Sequence, residues 1–221
     1  IAKAGAVQRL IVQVRGGVHG ANSHTSSFIR AAELAAAVLS RLSGDSEDNV
    51  AAIAAASGVR PLITLLGSPS AQAQAYSAAV LADLTRNNVE NRVDVAREGG
   101  VEPLVRLLTE GDSRAEAAGA LWSLSSGDDE TKAAVADAGA IPPLVALLAE
   151  GGKVRLCAAG ALDSSPWDGL DDLVTVELLW SGAGVAKLLG ACLALTAGPA
   201  AWSRAEAAAR AAAPEACAEE G

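Results

Sequence analysis

The sequence predicts an all-α protein built as a solenoid of repeated helical units, and three observations carry that reading. One text recurs: Gly100-Val101-Glu102-Pro103-Leu104 opens an apolar run, Glu110-Gly111-Asp112 breaks it, and Gly119-Ala120-Leu121-Trp122-Ser123-Leu124 closes an Ala-rich one. Gly58-Val59-Arg60-Pro61-Leu62 leads likewise to Ala79-Val80-Leu81-Ala82-Asp83-Leu84, and Gly139-Ala140-Ile141-Pro142-Pro143-Leu144 to Gly160-Ala161-Leu162. The Leu of each Pro-Leu step returns after 42 residues (Leu62 to Leu104) and again after 40 (Leu104 to Leu144); that period fits helical repeats of about 40 to 47 residues and excludes those near 34. Finally, the residues are Ala- and Leu-rich helix formers with few aromatics, which sets aside the four-stranded propeller blades that share this period.

The chain opens with a helix from Ala4 to Val14, whose Val7, Leu10, Ile11 and Val14 fall at helical spacing. Leu10 to Leu62 is 52 residues, about ten more than later units, and the excess sits in the Gly/Asn/Ser-rich stretch Arg15 to Ser27, read as an exposed loop. A helix from about Phe28 to Leu42 follows, ended by Gly44-Asp45-Ser46, with Asp45 as the expected N-cap of a short helix through Val50 and Ile53. Pro61 sits in the first turn of the next helix, where its missing N–H has no intrahelical partner to lose. Ser68-Pro69 signals a further start before a helix from Ala71 to Arg86. The next helices are Val89 to Arg97, Val101 to Thr109 and Ser113 to Ser125, the last opened by an expected capping box of Ser113 and Glu116. Asp128 is the expected N-cap of a helix through Val135; Pro142-Pro143 to Leu148 and Val154 to Leu162 complete the regular text.

The composite pattern is a short helix ending in Ala-Gly or Gly-Gly, then Gly-[Ala/Val]-[Ile/Val]-x-Pro-Leu-Val-x-Leu-Leu, then Ala-Ala-Gly-Ala-Leu-x-x-Leu. It resembles the armadillo repeat from Ile1 to about Leu162 and fails after it, where Asp163-Ser164-Ser165-Pro166 stands. The resemblance implies a right-handed α-solenoid of about four units, at about 1–44, 45–87, 88–127 and 128–162. Residues 163–221 are expected to be a degenerate fifth unit or cap, or a disordered Ala/Glu-rich tail; Gly182 to Leu189 faintly echoes the repeat opening. The chain contains no Met, and Ile1 to Val7 matches the middle of a unit, so part of a preceding helix is expected to lie outside this sequence.

Composition narrows the function. A net charge of −9 and a pI near 4.7 argue against a phosphate-binding surface, because nucleic-acid affinity rests on Lys and Arg neutralising phosphates. Neutral or basic proteins or peptides are the expected partners. No secretory signal and no apolar run long enough for a membrane span is visible. Cys157, Cys192 and Cys217 are widely spaced and form no Cys-x-x-Cys, which reads as reduced thiols in a cytoplasmic or nuclear protein.

Chemistry is mostly absent. His19 and His24 are the only histidines and lack a third ligand for a metal, Gly182-x-Gly184 lacks the rest of a dinucleotide loop, and Asp168, Asp171 and Asp172 read as a solvated face. No nucleophile elbow is present, so no catalytic residue, cofactor, metal or small-molecule substrate is expected.

In the armadillo family the third helix of each unit lines a concave groove. Helical periodicity turns Ala117, Leu121 and Leu124 inward and Gly119, Trp122, Ser123 and Ser126 outward. The expected partner-binding residues are Arg41, Asp83, Arg86, Asn87, Trp122, Ser123 and Ser126, with Trp122 as the anchor because aromatics carry disproportionate binding energy. Nuclear import adaptors of this family carry a ladder of Trp and Asn; here the Asn positions read Arg41, Asp83 and Ser123 and the Trp positions Ala37, Ala79 and Gly119. The leading expectation is therefore a non-catalytic protein-binding scaffold. The alternatives are the substrate-binding segment of a larger ubiquitin ligase and an import adaptor.

Overall fold

The computed structural model describes residues 4–19, 26–109, 113–150 and 152–163. Every regular element among them is helical: α1 Ala4–His19, α2 Ser26–Asp45, α3 Glu47–Ala55, α4 Val59–Leu65, α5 Ala71–Thr85, α6 Val89–Arg97, α7 Val101–Thr109, α8 Arg114–Ser125, α9 Asp129–Asp137, α10 Ile141–Leu147 and α11 Gly152–Asp163. From α3 onward the order is short, short, long, three times over. The long helices α2, α5, α8 and α11 pack side by side in chain order, and α1, α4, α7 and α10 each back onto the long helix that follows. A single apolar cluster runs the length of the array, from Val7 and Ile11 through Leu62, Leu81, Leu104 and Leu121 to Leu144 and Ala158. Each triplet alone would leave its apolar face wet; stacking closes it.

Local chemistry explains the joints. The turn after each first helix closes through backbone bonds from Gly58, Gly100 and Ala140 amides to the Ile53, Val95 and Val135 carbonyls, a six-to-one closure that needs one residue in the left-handed region. Gly99 (φ 75°) and Gly139 (φ 74°) supply it; at the matching place stands Ser57, at φ 55°. The first helices are capped by side chains: Ser46 accepts from the Asp48 amide, Asn88 from Asn91 and Asp128 from Thr131, each satisfying an otherwise orphaned N–H.

Several expectations are corrected. The helix α1 runs on through Arg15, Gly16, Gly17 and Val18 to His19, and α2 already begins at Ser26. Of the expected loop only 20–25 stays outside the described residues. The buried stripe Val7, Ile11, Val14 anchors α1 against α2, α3 and α4, and that packing outweighs the cost of two helical glycines at about 1 kcal/mol each. Asp45 is the last residue of α2, and Ser46 caps α3 instead. The expected capping box also fails: the Ser113 side chain makes no cap bond. Its buried hydroxyl donates across the stack to the Ala71 carbonyl at 3.1 Å, while Glu116 accepts from Lys153 of α11 at 3.1 Å. Interhelix contacts took both partners away. The expected cap or tail at 163–221, Gly182 to Leu189, the acidic cluster, His24, Cys192 and Cys217 lie outside the described residues or at their edge.

Candidate functional site

The exposed surface of the long helices is assembled by a register that repeats every 42 and then 40 residues, bringing Arg41, Asp83 and Ser123 to the same level of α2, α5 and α8. Leu39, Leu81 and Leu121, two residues earlier in each case, are fully buried and fix that orientation. Arg41 is exposed. Asp83 is only 14% exposed, because both of its oxygens are engaged: Oδ1 accepts from Arg86 Nη2 at 2.8 Å and Oδ2 from Ser43 Oγ of α2 at 2.7 Å. The carboxylate therefore clips α5 to α2. Ser123 is half-buried and donates to the Gly119 carbonyl at 3.2 Å.

A cleft of about 450 Å³ opens where α2 and α5 end and α3 and α6 begin. Asp83, Arg86 and Asn87 gather there with Asp45, Glu47 and Asn88. Arg41 and the α8 residues Trp122, Ser123 and Ser126 are not part of it. The expected site thus divides into a polar cleft on α5 and an aromatic position on α8.

Trp122 is 38% exposed. Its ring lies against Gly160 of α11, so close that a Cβ there would fall within 2.8 Å of indole Cζ2. One face of the indole is thereby fixed on the next helix and the remainder faces solvent. Ser126 is exposed, and its hydroxyl donates back to the Trp122 carbonyl at 2.9 Å. On α11 itself Leu156 is 64% exposed.

The residues that hold this surface in shape were not singled out in the sequence. Asn49 and Asn91, 42 residues apart, are buried and donate from Nδ2 to the Leu42 and Leu84 carbonyls, each at 2.8 Å, tying the end of a long helix to the next short one. Arg92 is buried beside Asn91 and donates to the Thr85 carbonyl at 2.8 Å and to that of Arg86 at 3.2 Å. The signal was available as Asn at a fixed offset after successive long helices.

Titration behaviour follows from these contacts. The Thr131 amide hydrogen bond holds the Asp128 carboxyl below its ordinary value, with the Thr131 hydroxyl and the Arg92 charge acting in the same direction. Burial pushes the Cys157 thiol up. No group of three or more His, Cys, Asp or Glu is placed to hold a metal ion among the described residues, and no helix among them is long and apolar enough to cross a membrane.

The profile of the Armadillo/beta-catenin-like repeat matches residues 88–126, the stretch that holds α6, α7 and α8. An engineered protein whose crystal structure comes from a structural genomics consortium is 31% identical, over 93% of this chain and 85% of that one, with a TM-score of 0.66. The chain belongs to the armadillo repeat family. Its helices also superpose on a designed armadillo repeat protein at 21% identity, covering 91% of this chain and 87% of that chain, TM-score 0.63. A second designed armadillo repeat protein, solved in complex with the peptide (KR)4, is 21% identical over 93% of this chain and 88% of its own, TM-score 0.62. No curated protein sequence matches the chain. The armadillo solenoid accounts for the side-by-side stacking of the long helices.

Proposed function

We propose that this armadillo array is a non-catalytic scaffold that binds an extended segment of a partner protein along the groove of its long helices. In this reading the array comprises units at about 1–44, 45–87, 88–127 and 128–162. Trp122 supplies the apolar anchor, and Arg41, Arg86, Asn87, Ser123 and Ser126 bond to the partner. Asp83 contributes by holding Arg86 beside the cleft as well as through any lone pair left free. The observation that carries the reading is the half-exposed Trp122, pinned on one side by Gly160 and open on the other. A large aromatic held rigidly in a stack loses little entropy when a partner covers it, which is the usual setting of a binding hot spot. The designed relative with a bound (KR)4 peptide supports a peptide as the ligand class, and the net charge of −9 favours a neutral or basic one.

The test is selection of extended peptides from a display library on the intact chain, followed by affinity measurement. Selected peptides are expected to bind Trp122→Ala at least about 30-fold more weakly, the loss of about 2 kcal/mol that marks a hot spot. They should bind a chain carrying Val12→Ala, on the exposed side of α1, unchanged. Equal affinity for the wild-type chain and Trp122→Ala would refute the groove reading.

A further inference from the structure

Four apolar columns run through the short helices. Successive shifts of 42 and 40 residues carry Ile53 to Val95 and Val135, Leu62 to Leu104 and Leu144, Leu65 to Leu107 and Leu147, and Leu66 to Leu108 and Leu148. Every one of these positions is at most 3% exposed. A further shift of 41, the step that carries Gly119 and Leu121 of α8 to Gly160 and Leu162 of α11, lands on Val176, Val185, Leu188 and Leu189. The exposed columns keep their character as well. Asp48, Glu90 and Glu130, exposed in the first turns of α3, α6 and α9, are continued by Asp171, a carboxylate where a helix N-terminus favours one. Lys187, the one charged residue of 182–190, falls in the column of Thr64, Arg106 and Ala146, none of which is buried.

The array leaves a place for such a segment. Short helices rest on those of the preceding unit: α4 packs on α1, α10 on α7 and α9 on α6. Beyond α9 and α10 the end face is open among the described residues. Ile141 is half-buried where Val59 and Val101 are buried, and Ala159 is half-buried where Ala36, Ala78 and Ala118 are fully buried. The chain itself runs on from Asp163 to Gly221, more than the length of one repeat. We propose that residues 170–190, which lie outside the described residues, dock on α9 and α10 of their own chain as the two short helices of a terminal cap. Two departures set its limits. Trp180 stands in the left-handed place of Ser57, Gly99 and Gly139, a conformation that a bulky side chain disfavours, so the two helices are joined differently. Pro199 falls in the column of Ala158, inside α11, where a proline ring breaks a helix, so the long helix is not repeated. An atypical last unit of this kind seals the core of the regular one before it. The inference rests on the end of the stack and not on the groove reading.

The test is hydrogen exchange of the full chain read by mass spectrometry, against a synthetic peptide of residues 170–190. Amides of this segment are expected to exchange about tenfold or more slowly in the chain than in the peptide. Two leucines then separate register from composition. Leu188→Ala, in a buried column, should abolish the protection. Leu178→Ala, in the exposed column of Ala55, Arg97 and Asp137, should leave it intact. Exchange as fast in the chain as in the peptide, or equal effects of the two substitutions, would overturn the proposal. Protection that disappears on dilution would place the segment on a second copy and overturn it as well.

Discussion

Gly119 and Gly160 stand in the same five-residue text, Ala-Ala-Gly-Ala-Leu, on neighbouring long helices, and alanine should have opposite effects at the two. A Cβ added at Gly119 meets one atom, Cys157 Sγ at 3.7 Å, an ordinary contact. Gly119→Ala then gains helix propensity, about 1 kcal/mol. A Cβ added at Gly160 falls on the Trp122 indole, with Cζ2 at 2.8 Å and Cε2 nearer still. The propensity gain is the same, but overpacking costs about 1 to 3 kcal/mol, so Gly160→Ala should be between neutral and about 2 kcal/mol destabilising. Urea unfolding followed by far-UV circular dichroism measures both. The decisive comparison is a double-mutant cycle. With Trp122→Ala in place the obstruction is gone, and Gly160→Ala should become as stabilising as Gly119→Ala, a coupling of about 1 kcal/mol or more. If Gly160→Ala stabilises equally with and without the Trp122 ring, the packing of Trp122 on α11 is wrong, and with it the pinned anchor on which the groove reading stands.

Other consequences are open to measurement. Asn91→Ala leaves the Leu84 carbonyl without its side-chain donor and should cost about 1 to 3 kcal/mol of stability in urea titration; Thr131→Ala, at the matching position but bonded only within its own turn, should cost less. Ser57→Gly relieves a left-handed backbone and should raise stability by about 1 kcal/mol, read as a higher thermal midpoint. The folded-state value of the Asp128 carboxyl lies below its ordinary 3.8, so its contribution is present in full above that value and is lost as pH falls through the lower folded-state value. An acid titration of stability should therefore lose part of its slope in Asp128→Asn. Cys157 is buried with its thiol pushed up, so in a Cys192→Ser, Cys217→Ser background alkylation should be slow until denaturant opens α11.

Much of the fold was legible because local and long-range signals agreed. The bounds of α6 and α7 were readable from the recurring Pro-Leu step at Pro103 and the apolar spacing, and Asp128 capped α9 as its position suggested. Where the reading failed, a distant contact decided. Ser113 and Glu116 spell a capping box, yet one reaches Ala71 and the other Lys153; nothing within four residues of Ser113 announces that. Gly16 and Gly17 looked like a loop because glycine density was weighed without the packing of Val14 beneath them. Asp83 was assigned outward from helical phase, which is correct for its Cβ, but its oxygens turn back to Arg86 and Ser43. Phase tells which side a residue leaves the helix and not where a flexible head group returns.

The asparagine ties bear on how the solenoid bends. Asn49 locks α3 to the end of α2, and Asn91 with Arg92 locks α6 to the end of α5 by three bonds. At the third such joint Thr131 turns its hydroxyl back to the Asp128 carbonyl, and Lys132 stands in place of Arg92 and leans to Asp129 at 3.9 Å. The first two joints are thus tied from helix to helix by side-chain bonds, whereas Thr131 and Lys132 bond within the first turn of α9. What packs the third joint is Arg92 itself, whose side chain lies so close to Gly127 that a Cβ there would fall 3.0 Å from its Cδ and Nε, so one arginine of α6 braces two successive turns of the coil.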